Sequence, residues 1–196
     1  MNYLAHIFLS GSDRRIQIGN FIGDAVKGEA YRAYPPGFRE GILLHRKIDD
    51  FADRHPLVKE AVGLGRPLFG RYSAVVTDIF FDYILAQDFR EYAGTSLPRF
   101  AWGFYGAMVR NYFRLPDRIR GFLWHFILTN RLSRYASLEG IRQSLEIMVT
   151  YRNLQVSPEE AVAYLEQHRE EWHALFREFF PQVQEMCRTE LAALAL

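Results

Sequence analysis

The chain has almost no cysteine: Cys187 is the only one in 196 residues. No internal disulfide can form, which suits a reducing compartment. It has almost no net charge, +1 from 24 basic and 23 acidic residues. That balance supplies no global pull toward nucleic acid or an anionic membrane, so neither is an expected partner. The opening M-N-Y-L-A-H-I-F-L-S lacks basic residues ahead of its apolar run, and His6 interrupts that run. It reads as neither a signal peptide nor a membrane span, and the expected location is the cytoplasm. There is no strand-like alternation, internal repeat, low-complexity tract or linker. There is no phosphate-binding glycine loop, nucleophile elbow or zinc-spaced cysteine pair, so the common competing catalytic constellations are missing.

What is present is apolar and aromatic. Hydrophobic residues make up 49% and aromatics 15%, with 16 Phe and 11 Tyr. A chain of this length buries a proper core. Its periodicity predicts an all-α, single-domain helical bundle over residues 1–196. Helices are expected over 2–10, from Asp13 to about Lys27, from the Pro36 region to Pro56, and weakly on to Gly63. The following G-L-G-R-P-L-F-G reads as irregular. A long helix is expected from Arg71 to about Tyr92. Further starts lie at Ser96-Pro98, at Pro116-Asp117, at Ser137, and at the capping box Ser157-Pro158-Glu159-Glu160. The last helices bend at Pro181. His125, in an apolar run, reads as a core or interface histidine.

The stretch Gly41–Pro56 (G-I-L-L-H-R-K-I-D-D-F-A-D-R-H-P) organises the rest. As a helix it sets His45, Asp49 and Asp53 at i, i+4 and i+8, on one face. Leu44, Ile48 and Phe51 form the adjacent apolar stripe. An imidazole and carboxylates at this spacing can hold a divalent cation; the alternative is a solvated face of alternating charges. Asn20 and Asp24 share a second face, with Asp24 in apolar company. Asp78 and Asp82 share a third inside T-D-I-F-F-D-Y-I-L, where something positive must sit opposite them. His6 beside its apolar neighbours reads, on its own, as a structural histidine.

Six arginines lie between residues 110 and 134 (Arg110, Arg114, Arg118, Arg120, Arg131, Arg134), against one acid, Asp117. The planar guanidinium fork suits carboxylate and phosphate. Grouped near Tyr112, Phe113 and Tyr135, they can receive an acidic protein or a phosphate-bearing ligand; the alternative is a solvated helix face.

Five motifs in order resemble one family: M-N-Y-L-A-H, G-N-F-I-G-D with V-K-G, Y-P-P, G-I-L-L-H-R-K-I-D with the later D and H-P, and D-I-F-F-D-Y-I-L. The chain resembles acyl carrier protein phosphodiesterases, a divergent branch of the HD-type metal-dependent phosphohydrolases. The resemblance implies an HD-like helical fold and removal of 4′-phosphopantetheine from holo-acyl carrier protein. It also implies a divalent metal, manganese preferred over magnesium. It departs from ordinary HD proteins in that three residues separate His45 from Asp49. The usual HD ligand set therefore does not transfer directly. His6, Asp24, His45, Asp49, Asp78 and Asp82 form the oxygen-rich, part-imidazole set that manganese or magnesium favours. Which of the carboxylates ligate stays open, and Asp24, His45 and Asp49 are the catalytic candidates. Arg46, Arg110, Arg114 and Arg118 are the candidate substrate-binding residues, and the acyl carrier protein with its phosphopantetheine arm is the expected partner. Two other readings are a phosphohydrolase of a nucleotide or small phosphate ester, and a non-catalytic module that binds an acidic protein.

Overall fold

Side-chain capping starts several helices where the sequence places a short polar residue. The computed structural model describes residues 1–194, and among these there is no strand. Twelve α-helices follow in order among the described residues. The first four are α1 (Tyr3–Leu9), α2 (Arg14–Phe21), α3 (Phe38–Arg54) and α4 (Pro56–Phe69). Next come α5 (Ser73–Gln87), α6 (Phe89–Ala93), α7 (Leu97–Arg110) and α8 (Asp117–Leu128). The chain closes with α9 (Arg131–Arg134), α10 (Leu138–Arg152), α11 (Pro158–Gln167) and α12 (Arg169–Ala193). Asp13 caps α2 by accepting from the Arg15 N–H at 2.7 Å. Ser137 caps α10 through the Gly140 N–H, and Ser157 caps α11 through the Glu160 N–H. Each cap satisfies one of the backbone donors a helix start leaves open.

The core is one cluster of aliphatic and aromatic side chains reaching from α1 to α12. Helix α5 is apolar almost all round, with Val76, Ile79, Phe80, Phe81, Ile84 and Leu85 buried, as expected of a central helix. Phe80 and Phe81 meet Trp172, and Phe81 also meets Phe176 and Phe179, at centroid distances of 5.1–6.4 Å.

Helices α2 and α3 touch backbone to backbone. A Cβ on Gly41 would lie 2.2 Å from the Ile16 carbonyl oxygen, and one on Gly19 would lie 2.1 Å from that of Phe38. Only glycine permits this approach, which sets the end of α2 directly against His45 on α3.

Several boundaries differ from the sequence expectation. Helix α2 stops at Phe21, not near Lys27. Gly23–Ala25 tightens into a 3₁₀ turn, and Gly23 leaves room for the His45 ring, 2.4 Å from where a Cβ would stand. Pro36 lies outside α3, whose N-cap is Gly37 at φ +87°, with the Glu40 carboxylate accepting from the Gly37 N–H. His55 ends α3 and caps α4, with Pro56 in the first turn of α4. Helix α4 runs unbroken through Gly63 and Gly65 to Phe69, because Gly65 lets it pack closely on Ser73. The expected helix 71–92 is a 3₁₀ turn, α5 and α6, with the break at Asp88. Helix α7, expected to reach about Phe113, ends at Arg110, ahead of a 3₁₀ turn at Tyr112–Arg114. Helix α12 continues through Pro181. His125 is exposed, because α8 buries Leu123, Phe126 and Ile127 and turns the histidine outward.

Candidate metal centre

The rings of His6 on α1 and His45 on α3 stack 4.2 Å apart at 27°, and both are buried. Beneath them lies Asn20, fully buried in the last turn of α2. Its Oδ1 is 2.8 Å from His6 Nδ1 and 3.2 Å from His45 Nδ1. The Ser10 hydroxyl donates its one proton to the His6 carbonyl at 2.8 Å, so its oxygen accepts from Asn20 Nδ2, also at 2.8 Å. That fixes the amide orientation. Oδ1 faces the imidazoles, and both Nδ1 atoms are donors.

Both Nε2 atoms therefore point away from Asn20, toward Asp49. Asp49 Oδ1 stands 3.1 Å from His6 Nε2, and Oδ2 stands 3.2 Å from His45 Nε2. Neither Nε2 makes a well-formed hydrogen bond, though both are buried. Ligand atoms of His6, His45 and Asp49 all lie within 4.8 Å of one another. Two imidazole lone pairs and a carboxylate facing one point repel unless a proton or a cation sits between them. The donor set of two imidazoles and one carboxylate fits a divalent transition metal.

The electrostatics agree. Burial pulls the His6 pKa down, so its ring is neutral. For His45 burial acts in the same direction, but the carboxylates of Asp24 and Asp49 outweigh it and raise its pKa to about 9. Without metal, the His45 imidazolium is the local cation. Burial raises the Asp49 pKa, but His45 and His6 overcome that and hold it well below the usual carboxylate range. Asp24 lies 3.6 Å from His45 Nε2, which lowers its carboxyl to about 2.

The structure gathers part of the expected set. His6, His45 and Asp49 come together, and Asp24 stands beside them. Asp24 is exposed and not in apolar company, because the 3₁₀ turn after α2 swings it outward. Asp82 is engaged elsewhere. It is fully buried, and its two oxygens accept from the N–H groups of Leu4 and Ala5 at 2.8 and 3.1 Å, capping the first turn of α1. Asp78 Oδ1 lies 3.0 Å from the Met1 nitrogen. The positive partners demanded by the Asp78/Asp82 face are thus backbone N–H groups and an ammonium. Asp53 is exposed and lines a neighbouring groove with Asp78.

The arginines differ in what they touch. Arg46 donates to the carbonyls of Val26 and Gly28 at 3.1 and 2.7 Å and stacks on Tyr31, so it clamps the loop after Asp24. Arg110 and Arg114 are exposed at the end of α7, near the exposed ring of Phe113. Arg118 and Arg131 line a separate groove under Tyr3. Sequence reasoning gave Asn20 no role beyond a shared face with Asp24. The one available signal was an amide set between Gly19 and Phe21, a small-apolar context in which an amide needs buried partners.

The cavity over the histidines is small, about 100 Å³, and is lined also by Asn2, Tyr3, Asp24, Asp78 and Met148. No helix among the described residues is long and apolar enough to cross a membrane.

The family model described as acyl carrier protein phosphodiesterase matches residues 1–183. The chain is similar to the acyl carrier protein phosphodiesterase of Pectobacterium atrosepticum, 28% identical over 191 residues, covering 97% of this chain and 99% of that one. It is 30% identical over 189 residues to that of Photorhabdus laumondii, covering 94% of each. It is 29% identical over 182 residues to that of Yersinia pestis, covering 92% and 94%. No solved structure matches the chain. From the match over residues 1–183, the chain belongs to the acyl carrier protein phosphodiesterase family.

Proposed function

We propose that this chain is a metal-dependent hydrolase that cleaves the phosphodiester joining 4′-phosphopantetheine to holo-acyl carrier protein, leaving apo-carrier protein. The observation that carries the proposal is the convergence of His6 Nε2, His45 Nε2 and the Asp49 carboxylate, in a chain of this family. These three residues would hold the divalent cation, with manganese preferred and magnesium the alternative. When bound, such a cation lowers the pKa of water and neutralises phosphoryl oxygens.

The protein's own groups do the rest. Asn20 fixes both rings with Nδ1 protonated and Nε2 free, the outer-shell role that sets ligand tautomer. Asp24, ionised at neutral pH and at the cavity mouth, accepts a hydrogen bond from the attacking water and orients it. The cavity over the histidines is about 100 Å³, with the Asp24 and Asp49 carboxylates reaching solvent at the centre's edge. Arg118 offers a positive rim for an acidic carrier protein.

The test is intact-mass measurement of holo-acyl carrier protein after incubation with the enzyme and Mn²⁺. The expected result is conversion to the apo mass with release of 4′-phosphopantetheine. An unchanged carrier-protein mass, with turnover of a small phosphodiester, would assign the centre to another phosphoester.

A further inference from the structure

A second groove, of about 550 Å³, lies beyond the metal cavity. Tyr3 is a wall of both, and the neighbouring α10 residues Met148 and Ile147 line one each. The metal cavity, at about 100 Å³, is too small to hold the substrate's arm as well. The second groove falls in the size range of small-molecule sites, about 300–1,000 Å³. Its walls are Phe122, Phe126, Ile147 and Tyr151, with Arg131 at one side. The Arg131 Nε–H is buried, and the equally buried Tyr135 hydroxyl stands against the Arg131 guanidinium. A guanidinium carries five N–H donors, so Arg131 can serve an acceptor in the groove it lines as well as Tyr135.

We propose that this groove receives the pantetheine arm of the substrate, with an arm amide carbonyl accepting from the Arg131 guanidinium. The arm's gem-dimethyl and methylene groups suit the aromatic walls, and its amides need the few polar groups the groove offers. The assignment rests on the function proposed above. A competing groove of about 430 Å³ lies under Asp53 and Asp78, lined by Lys59 and Arg66. It also reaches the metal cavity, through Asp78, but it lacks an aromatic wall.

Two glycines separate the grooves experimentally. Gly121 lines the aromatic groove and Gly63 the competing one; each is helical, and a Cβ on either meets nothing within 4 Å. A leucine at either position has open space for its Cβ, adds bulk beside its groove and improves helix propensity. Calorimetric titration with pantetheine, which lacks the phosphate, reads arm binding directly, and titration with Mn²⁺ reads the metal centre. Gly121→Leu is expected to weaken pantetheine binding at least tenfold and raise the KM for holo-carrier protein, with Mn²⁺ affinity unchanged. Gly63→Leu is expected to leave pantetheine affinity within twofold of the wild type. Arg131→Leu is expected to weaken pantetheine about tenfold. If Gly63→Leu weakens pantetheine while Gly121→Leu does not, or neither does, the assignment is overturned. Wild-type protein that binds pantetheine yet leaves holo-carrier protein intact would overturn the proposed reaction and not the groove.

Discussion

The imidazoles of His6 and His45, 39 positions apart in the chain, share one acceptor: Asn20 Oδ1 lies 2.8 Å from the first and 3.2 Å from the second. This single contact gives both rings the same tautomer and aims both Nε2 lone pairs at Asp49. Everything proposed about the centre follows from that orientation.

Asn20→Leu keeps the side-chain volume and removes the shared acceptor. Both rings are then free to swap tautomers, and two Nδ1–H donors are left buried. Manganese affinity is expected to fall about 10–100-fold, the usual scale for an outer-shell partner. Calorimetric titration checks it, and an unchanged affinity would remove Asn20 from the centre.

The metal-free protein carries a pH signature. Despite burial, the pKa of His45 is raised to about 9 in the folded state by the carboxylates of Asp24 and Asp49, against about 6.5 for an unperturbed imidazole. The folded state therefore binds this proton more tightly than the unfolded chain does. The contribution is fully present below about pH 6.5 and is lost as pH rises through about 9. Its size is on the order of 1–3 kcal/mol. Urea midpoints measured between pH 6 and 10 in the presence of chelator are expected to decline across that window. His45→Asn is expected to flatten the decline. A parallel decline in the variant places the titrating group elsewhere.

Asp82 separates a ligand from a clamp. As a clamp it satisfies the Leu4 and Ala5 N–H groups, and Asp82→Ala leaves both buried and unpaired at a cost of about 2–4 kcal/mol. A ligand would show the reverse: lost metal binding and, with like charge removed, no loss of apo stability. Burial raises the Asp82 pKa to about 7 against the pull of its two N–H donors. The folded state then holds an extra proton between about pH 4 and 7, so this residue lowers stability as pH rises through that range. Chelator-treated Asp82→Asn is expected to lose that component of the pH dependence.

The arginines divide by what they touch. Arg118→Glu is expected to lower kcat/KM on carrier protein about tenfold at low salt and to flatten the salt dependence, because rim charges steer encounter and are screened within about 8 Å at physiological ionic strength. Arg46→Met breaks the hydrogen bonds to Val26 and Gly28, so it is expected to lower the melting temperature and leave the salt slope as it was. Equal salt slopes for wild type and Arg118→Glu would move the docking surface elsewhere.

Much of the fold was legible because helix starts are local chemistry. Asp13, Ser137 and Ser157 each cap the helix their position announces. The His45–Asp49 pair was legible for the same reason, since i, i+4 spacing is a property of one helix. What joins separate helices was not. His6 reads alone as a structural histidine, and only the resemblance placed it with His45. Asp82 was readable as a buried carboxylate that needs positive partners, but not as the cap of a helix 77 positions away. The stretch Gly63–Gly70 read as irregular because glycine and proline weigh against a helix locally; close packing of Gly65 on Ser73 overrides that.

The central claim is that His6, His45 and Asp49 form one divalent-metal centre. Electron paramagnetic resonance titration of Mn²⁺ into the chelator-treated protein tests it most directly, because free and bound Mn²⁺ are read separately. The account predicts at least one tight site in the wild type, lost in His6→Ala, His45→Ala and Asp49→Ala and kept in Asp53→Ala. A wild type with no tight site, or an Asp49→Ala variant that binds Mn²⁺ as tightly as the wild type, would contradict it.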